Sequence, residues 1–131
     1  MKTFNKSQQI GMSGEKLALE FLKKKNYFIQ ETNYHSRFGE IDIIAQNENY
    51  IIFVEVKTRN SHAFAAPMEY VNSSKQVKII KTALLYLSEG KHSEDVQPRF
   101  DVIEIVLEAG KSIKVNHIEN AFFMERNDEF F

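Results

Sequence analysis

The 131-residue sequence contains no cysteine, two prolines and five glycines. Without cysteine there is no disulfide, no thiolate zinc site and no cysteine nucleophile. A glycine-rich phosphate loop, a nucleophilic serine motif and a dinucleotide fingerprint are also absent, so no small-molecule cofactor is expected. No apolar run approaches the ~20 residues of a membrane-spanning helix, and the first residues lack the apolar stretch of a signal peptide. We therefore expect a soluble, cytoplasmic protein that does not bind membranes.

A strong net charge is also missing, because 17 basic residues face 18 acidic ones and the formal charge is −1. The basic excess typical of many nucleic-acid-binding proteins is therefore absent. The acids are nevertheless unevenly placed, since four of them and a single base lie between Glu119 and Phe131. The preceding 118 residues carry a small positive excess, which permits phosphate binding without demonstrating it.

The apolar periodicity predicts one α/β domain over residues 1–131 with the element order α-β-β-β-α-β-β. A tail that the sequence allows to be flexible begins at about residue 119. The first two phenylalanines of this tail, Phe122 and Phe123, can pack, whereas the last two, Phe130 and Phe131, can fray or contact a partner. The predicted helices and strands span 7–25, 27–34, 40–46, 50–58, 72–88, 99–107 and 112–118. The predicted buried stripe of the second helix comprises Val77, Ile80, Ala83, Leu84 and Leu87.

Three charged residues interrupt two strongly apolar strands, where charges are normally excluded. Asp42 lies among isoleucines, and Glu55 lies between two valines, two residues before Lys57. Strand side chains alternate faces, so Glu55 and Lys57 point the same way, with Cβ atoms roughly 7 Å apart. A salt bridge on a strand explains most Glu-x-Lys patterns, but it would leave one buried carboxylate without a partner. A shared metal site explains all three charges together.

Such a site would hold a hard cation, because carboxylates without cysteine or paired histidines favour Mg²⁺ or Mn²⁺ over zinc. Asp42 and Glu55 would supply ligands, together with the carbonyl of Val56 and water. Lys57 would stabilise negative charge and orient or help to deprotonate an attacking water. A metal-dependent phosphodiesterase requires groups of these kinds in its active site.

The same residues belong to a longer series of motifs that resembles the small bacterial YraN-like proteins of the PD-(D/E)XK nuclease superfamily. The resemblance implies a restriction-endonuclease-like αβββαβ core, with a mixed central sheet flanked by helices, as in archaeal Holliday-junction resolvases. Two positions depart from the pattern: His35 replaces a common arginine, and Ala65 stands near a usual glycine. The matching segments are Gly11-Met12-Ser13-Gly14-Glu15 with Ala18, Asn33-Tyr34, Gly39-Glu40-Ile41-Asp42, Phe53-Val54-Glu55-Val56-Lys57-Thr58-Arg59, Pro67 with Glu69, Val71 and Lys75, and Arg99-Phe100-Asp101-Val102.

The resemblance adds further candidate site residues. It implies that Glu15 joins the metal ligands, although its spacing alone favours a solvated helix residue. Relatives place a polar residue of the second helix beside the lysine, so Lys75 or Gln76 is a candidate for substrate contact, and a solvated face explains both equally well. Lys78 and Arg59 are candidates for phosphate contact.

Two other charged positions have simpler interpretations. Glu40 shares a strand face with Asp42 and is interpreted as a charge at the edge of the site. Arg99 and Asp101 are interpreted as a structural ion pair on the fourth predicted strand.

These residues lead to the hypothesis of a DNA endonuclease that acts on branched or single-stranded DNA. The alternative is a non-catalytic or partner-dependent module for nucleic-acid binding or repair. A third reading is a protein-interaction domain that uses the phenylalanine-rich tail. Small nucleases often need a homodimer to span a duplex, but nothing in the sequence specifies a dimer interface.

Overall fold

Two helices and a six-stranded mixed sheet form the computed structural model, which describes residues 2–5, 13–60, 71–108 and 112–124. The spatial order of the strands is β1-β6-β5-β4-β3-β2. The order α1-β2-β3-β4-α2-β5 confirms the expected αβββαβ core. The elements are β1 Lys2–Asn5, α1 Gly14–Lys24, β2 Phe28–His35, β3 Glu40–Gln46, β4 Tyr50–Asn60, α2 Ser73–Ser88, β5 Gln97–Leu107 and β6 Ser112–Phe122.

The centre of the sheet is the parallel pair β4–β5, whose register runs from Tyr50 opposite Gln97 to Asn60 opposite Leu107. A parallel pair requires a crossover connection, and α2 lies within that connection. All other neighbouring strands are antiparallel. Both central strands carry long buried runs, as is typical of strands that are covered on both faces.

The two helices cover opposite faces of this sheet, because alternate strand residues pack against different helices. On β4, Ile52 and Val54 pack with α1, whereas Ile51 and Phe53 pack with α2. By the same parity, Glu55 and Lys57 lie on the α2 face. Neither described helix is long and apolar enough to cross a membrane.

The first helix begins later than predicted. Ser13 has an extended backbone, and its hydroxyl accepts a hydrogen bond from the amide of Lys16 at 3.2 Å, so Gly14 is the first helical residue. Residues 7–12 of the predicted helix lie outside the described residues. A Cβ at Gly14 would overlap the hydroxyl oxygen of Thr58, so glycine lets the start of α1 approach β4 closely.

The second helix buries a different stripe from the predicted one. Ile80 and Ala83 are buried as expected, but Val77 is 39% exposed, and the other two predicted members are only partly buried. Tyr86 takes the central position instead, with its ring 5.1 Å from that of Tyr34. The buried residues of α2 are Ile79, Ile80, Thr82, Ala83 and Tyr86.

The last strand is longer than predicted, because β6 continues to Phe122. Phe122 stacks on Phe100 at 5.2 Å, so residues 119–122 belong to the sheet rather than to a flexible tail. Phe123 is 63% exposed. Residues 125–131, with the other two tail phenylalanines, lie outside the described part of the chain. Strand β1, which pairs with β6, was not predicted.

A buried polar network joins β5 and β6. The guanidinium of Arg99 donates to both carboxylate oxygens of Asp101, at 2.9 and 2.8 Å, and to the hydroxyl of Tyr27 at 2.6 Å. The Nε2 atom of His117 lies 2.7 Å from Asp101, and the amide of Asn120 donates to the same carboxylate. Burial alone would raise the pKa of Asp101, but the hydrogen bonds from His117 and Arg99 outweigh it, and the pKa is lowered. The predicted structural ion pair is confirmed.

Candidate active site

The site begins where the ladder between β3 and β4 ends. The register pairs Ile43 with Val54 and continues away from Asp42, which has no ladder partner on β4. The amide of Val56 instead donates to the Oδ2 atom of Asp42 at 2.8 Å. The carboxylate thus takes the place of a backbone acceptor, and this bond fixes Asp42 against β4.

Strand alternation also breaks at Asp42. Strict alternation predicts that Ile41, Ile43 and Ala45 share one face, but Ile41 packs on the α2 side together with Ile44. Ile43 and Ala45 pack on the α1 side as expected. The missing ladder pair explains the difference, because β3 is not constrained by β4 before residue 43.

Two lysines converge on one oxygen of Glu55, the second acid of the site. The Nζ atom of Lys75 donates to Oε1 at 2.7 Å, and the Nζ atom of Lys57 lies 3.6 Å from the same oxygen. The prediction that Glu55 and Lys57 point to one face is therefore confirmed. The Glu55 side chain is only 8% exposed, and a carboxylate this buried requires a charged or hydrogen-bonding partner.

Their pKa values separate the two lysines. Burial lowers the pKa of Lys57, and the neighbouring Lys75 lowers it further, while Glu55 acts in the opposite direction. Burial alone would also lower the pKa of Lys75, but its hydrogen bond to Glu55, its contact with Lys57 and the charges of Glu55 and Asp42 together outweigh burial, and the pKa is raised. The shifts therefore make Lys57 the more acidic of the two lysines.

Asp42 is the strongly perturbed acid of the site. Burial raises its pKa from 3.8 to about 6, and the negative charges of Glu55, Glu15 and Glu40 act in the same direction. The hydrogen bond from the Val56 amide acts against this rise in pKa. A cation that binds beside Asp42 would stabilise the charged form of its carboxyl group.

Asn33 brings Glu15 to the edge of this group. The register pairs Thr32 with Ile43 and Tyr34 with Ile41, so Asn33 lies across from Asp42. Asn33 adopts a left-handed backbone conformation with φ of 52°, and its side-chain amide donates to Glu15 Oε1 at 2.8 Å. Among the described residues, however, no three acids or histidines converge closely enough to enclose a cation.

A pocket of about 390 Å³ opens above these side chains, and we call it the Asp42–Glu55 pocket. It brings together four predicted residues, two acids and two lysines, and it also contains Glu40. Ser74 and Asn72 from the start of α2 complete its polar wall. The lining residues are Gly39, Glu40, Asp42, Glu55, Asn72, Ser74, Lys75, Lys78 and Ile79.

Two other predicted substrate contacts are engaged within the protein. The guanidinium of Arg59 forms an ion pair with the buried carboxylate of Glu104. The side-chain amide of Gln76 donates to the carbonyl of Val71 at 2.9 Å. His35 is exposed, with Nε2 3.7 Å from Glu40. The motif positions Pro67, Glu69 and Ala65 lie outside the described residues.

Two positioning contacts were not predicted from the sequence. Asn33 belongs to a predicted motif, and its hydrogen bond to Glu15 shows what this side chain does in the structure. Lys75 was proposed for substrate contact, whereas it also neutralises Glu55. An asparagine inside a strand is a signal for a left-handed residue, because asparagine tolerates that conformation better than most.

The carboxylates of Asp42 and Glu55 are suited to binding a hard divalent cation. Among the residues that the structure describes, hydrogen-bond donors reach only Oδ2 of Asp42 and Oε1 of Glu55. The second oxygen of each carboxylate therefore has no hydrogen-bond donor from that part of the chain. Carboxylate oxygens are preferred by Mg²⁺ and Mn²⁺.

Comparisons with known proteins identify the relatives of this chain. A sequence model described as uncharacterised protein family UPF0102 matches residues 14–105. A UPF0102 protein of Caldanaerobacter subterraneus is 48% identical over 93% of this chain and 100% of its own length. A UPF0102 protein of Alkaliphilus oremlandii is 50% identical over 88% of this chain and 99% of its own. One of Syntrophomonas wolfei is 44% identical over the same shares.

Proposed function

This chain belongs to the uncharacterised protein family UPF0102, and we propose that it is a Mg²⁺- or Mn²⁺-dependent phosphodiesterase that cleaves DNA as an endonuclease. We propose branched or single-stranded DNA as its substrate. The observation that carries the proposal is the meeting of Asp42, Glu55 and Lys75 at one pocket, at the point where two apolar strands separate. The Nζ atom of Lys57 lies 3.6 Å from the carboxylate of Glu55. Clusters of perturbed titratable groups in a cleft are typical of active sites.

The metal would be held by Asp42 and Glu55, with Glu15 as a further candidate ligand. When bound, it supplies Lewis-acid stabilisation of the phosphoryl oxygen and lowers the pKa of a nearby water. The chain contributes a rigid donor set, because Val56 fixes one carboxylate and Lys75 fixes the other. Fixed donors stabilise developing charge without having to reorganise during the reaction.

Lys57 and Lys75 have different proposed roles. In the reaction, the attacking water forms a new bond to phosphorus while the opposite bond to the leaving oxygen breaks. Lys57, whose pKa is lowered, is placed to accept a proton from that water or to hydrogen-bond the phosphate. Lys75 keeps its charge and holds Glu55 in position.

One observation favours the alternative of a nucleic-acid-binding or repair-accessory module. Lys75 and Lys57 already surround Glu55 Oε1, so this carboxylate is compensated without a metal. Such a module predicts salt-sensitive DNA binding without metal-dependent turnover.

Cleavage assays distinguish the two proposals. Wild-type protein is incubated with linear, single-stranded and branched DNA, and with RNA, in Mg²⁺ or Mn²⁺. The Asp42→Asn variant should lose cleavage, and Lys57→Ala should lower its rate roughly 10²- to 10⁴-fold, the range for a general base. Lys23→Ala, which changes an exposed lysine on α1, should match the wild type.

Metal binding is measured separately from turnover by following thermal unfolding during a Mn²⁺ titration. A ligand that binds only the folded state stabilises it, by about 2.7 kcal/mol at 100 times its Kd. Wild type should be stabilised and Asp42→Asn should not. If no substrate is cleaved and Lys57→Ala equals wild type in every assay, the nuclease proposal is wrong.

A further inference from the structure

A second cavity adjoins the Asp42–Glu55 pocket and contains the aromatic ring of Phe38. This Phe38 cavity has a volume of about 480 Å³ and shares Ser74 and Lys78 with the pocket. Phe38 also lines a further cavity of about 360 Å³, together with Lys81, Leu84 and Leu85. The half-buried Phe38 therefore contributes to two cavities. The Phe38 cavity is lined by Arg37, Phe38, Ser74, Val77, Lys78 and Lys81.

Phe38 is held in place by a tight turn between β2 and β3. The amide of Ser36 donates to the carbonyl of Gly39 at 2.8 Å, and the hydroxyl of Ser36 accepts from the Phe38 amide at 3.0 Å. That hydroxyl also lies 2.9 Å from the hydroxyl of buried Thr82 on α2. A Cβ at Gly39 would lie 3.4 Å from the Cβ of Lys78, so the turn packs directly against the helix.

Cations surround the ring. The guanidinium carbon of Arg37 lies 4.8 Å from the ring centroid, and Nζ of Lys81 lies 5.6 Å from it. Lys78 lines both the Phe38 cavity and the Asp42–Glu55 pocket. The described lining of the cavity has three cationic residues and no acid, in a protein whose total charge is −1.

We propose that the Phe38 cavity binds an unpaired nucleotide of the strand that enters the Asp42–Glu55 pocket. The base stacks on the ring of Phe38, and the adjoining phosphates contact Arg37, Lys78 and Lys81. The inference rests on the proposed function, since it gives the neighbouring pocket a nucleic-acid strand as substrate. An aromatic ring among cations binds single strands without reading their sequence, because every base has a face that stacks.

The arrangement selects unpaired over paired nucleotides. In a duplex each base is already stacked on its neighbours, so its face cannot reach a ring on the protein surface without unstacking. A single strand, a junction or a frayed end offers such a face directly. The exposed Val77 and Leu85 beside the ring would serve a protein partner equally well, but three cations favour a polyanion.

Binding in EDTA tests the inference without any turnover. Fluorescence anisotropy compares a DNA single strand, an RNA of the same sequence and a blunt DNA duplex. Phe38→Ala should weaken single-strand binding roughly 5- to 100-fold, as expected for the loss of one stacked base. The effect of Phe38→Ala on duplex binding should stay within about twofold. Phe38→Tyr should bind single strands like wild type, because tyrosine keeps the aromatic ring on which a base stacks.

Phe28→Ala is the matched control, because Phe28 is 74% exposed at the other end of the same hairpin. It should leave all binding unchanged. Phe38→Leu keeps apolar volume in the turn and should bind like Phe38→Ala, which separates stacking from folding. Loss with DNA, with RNA or with both supports the inference and identifies the strand. If Phe38→Ala binds single strands like wild type, or loses duplex binding equally, the inference is wrong.

The outcome is separable from that of the proposed function. If wild-type cleavage depends on Asp42 but Phe38→Ala binds single strands as wild type does, the nucleotide-binding role of the Phe38 cavity is wrong and the nuclease proposal stands. If Phe38→Ala loses strand binding but no metal-dependent cleavage is found, the nuclease proposal is wrong and the binding role of the cavity stands.

Discussion

At Asp42, burial and three neighbouring acids oppose the negative charge of the carboxylate. The same residue accepts a backbone hydrogen bond that holds it in place. The local structure therefore makes the carboxyl group easier to protonate than an exposed aspartate, and a cation beside it would favour the charged form. One carboxyl group thus couples folding to pH and, under the proposed function, to metal binding.

This coupling predicts how stability depends on pH. Because the pKa of Asp42 is about 6 in the folded protein and 3.8 as its ordinary value, the folded state binds the proton more tightly. Stability should fall as pH rises from about 4 to about 6 and then stay level. Asp42→Asn, which keeps the acceptor for Val56, should therefore gain about 1–2 kcal/mol relative to wild type between pH 4 and pH 7, allowing for partial exposure.

Urea unfolding in EDTA at several pH values measures this difference. Ile43→Val, a neighbouring change without a titratable group, should give the same difference at every pH. Adding Mn²⁺ at pH 7 should reverse the order and favour wild type, because only wild type retains both carboxylates. A difference for Asp42→Asn that does not change with pH would contradict the prediction.

At the scale of the elements, the buried ion pair decides where β6 ends. Asp101 accepts hydrogen bonds from Arg99 on its own strand and from the Asn120 amide on β6, and His117 contacts it as well. These contacts hold β6 to β5 beyond residue 118, where periodicity alone predicts that the strand ends. The network thus extends the sheet into the segment that the sequence assigned to a tail.

Removing Asp101 should therefore cost far more than removing a surface charge. Asp101→Ala leaves Arg99 buried without its carboxylate, and we expect a loss of about 3–5 kcal/mol in the free energy of unfolding. Glu119→Gln is the control: its side chain is 52% exposed and 3.5 Å from Arg99, so it should cost at most about 1 kcal/mol. Urea unfolding measures both, and equal costs would show that the network does not stabilise the fold.

Across the whole molecule, charge is unevenly distributed rather than accumulated in a net excess, because α2 carries three lysines and no acid. Lys75, Lys78 and Lys81 lie on α2, on the same face as Lys57. The overall charge of −1 therefore hides a local concentration of cations beside the candidate site. A polyanion responds to the local field within about 8–10 Å at physiological salt.

This uneven distribution predicts that the lysines on the α2 face cause the salt dependence of single-strand binding. Lys78→Gln should weaken single-strand binding and reduce the slope of log K against log salt by about 0.7, the contribution of one phosphate contact to a single strand. Lys23→Gln, an exposed lysine on α1 at the opposite face, should leave the slope unchanged. Equal effects of the two variants, measured by anisotropy at four salt concentrations, would assign binding to overall charge.

The sequence by itself determined the features that depend on neighbouring residues. The alternation of strand side chains placed Glu55 and Lys57 on one face, and the bounds of β3 were predicted without error. The Arg99–Asp101 pair was also predicted, because its partners are only two residues apart on one strand. Local periodicity is a property of the backbone, so it can be read from the order of residues alone.

Tertiary structure decided which distant groups meet. The buried stripe of α2 passes through Tyr86 rather than Val77, because the space between helix and sheet, not the helix pattern, selects the ring that fills it. The contact of Lys75 with Glu55 joins residues 20 positions apart, and that of Asn33 with Glu15 joins residues 18 apart. Such contacts arise only after packing fixes the elements, since periodicity assigns a side chain to a face but not to a partner.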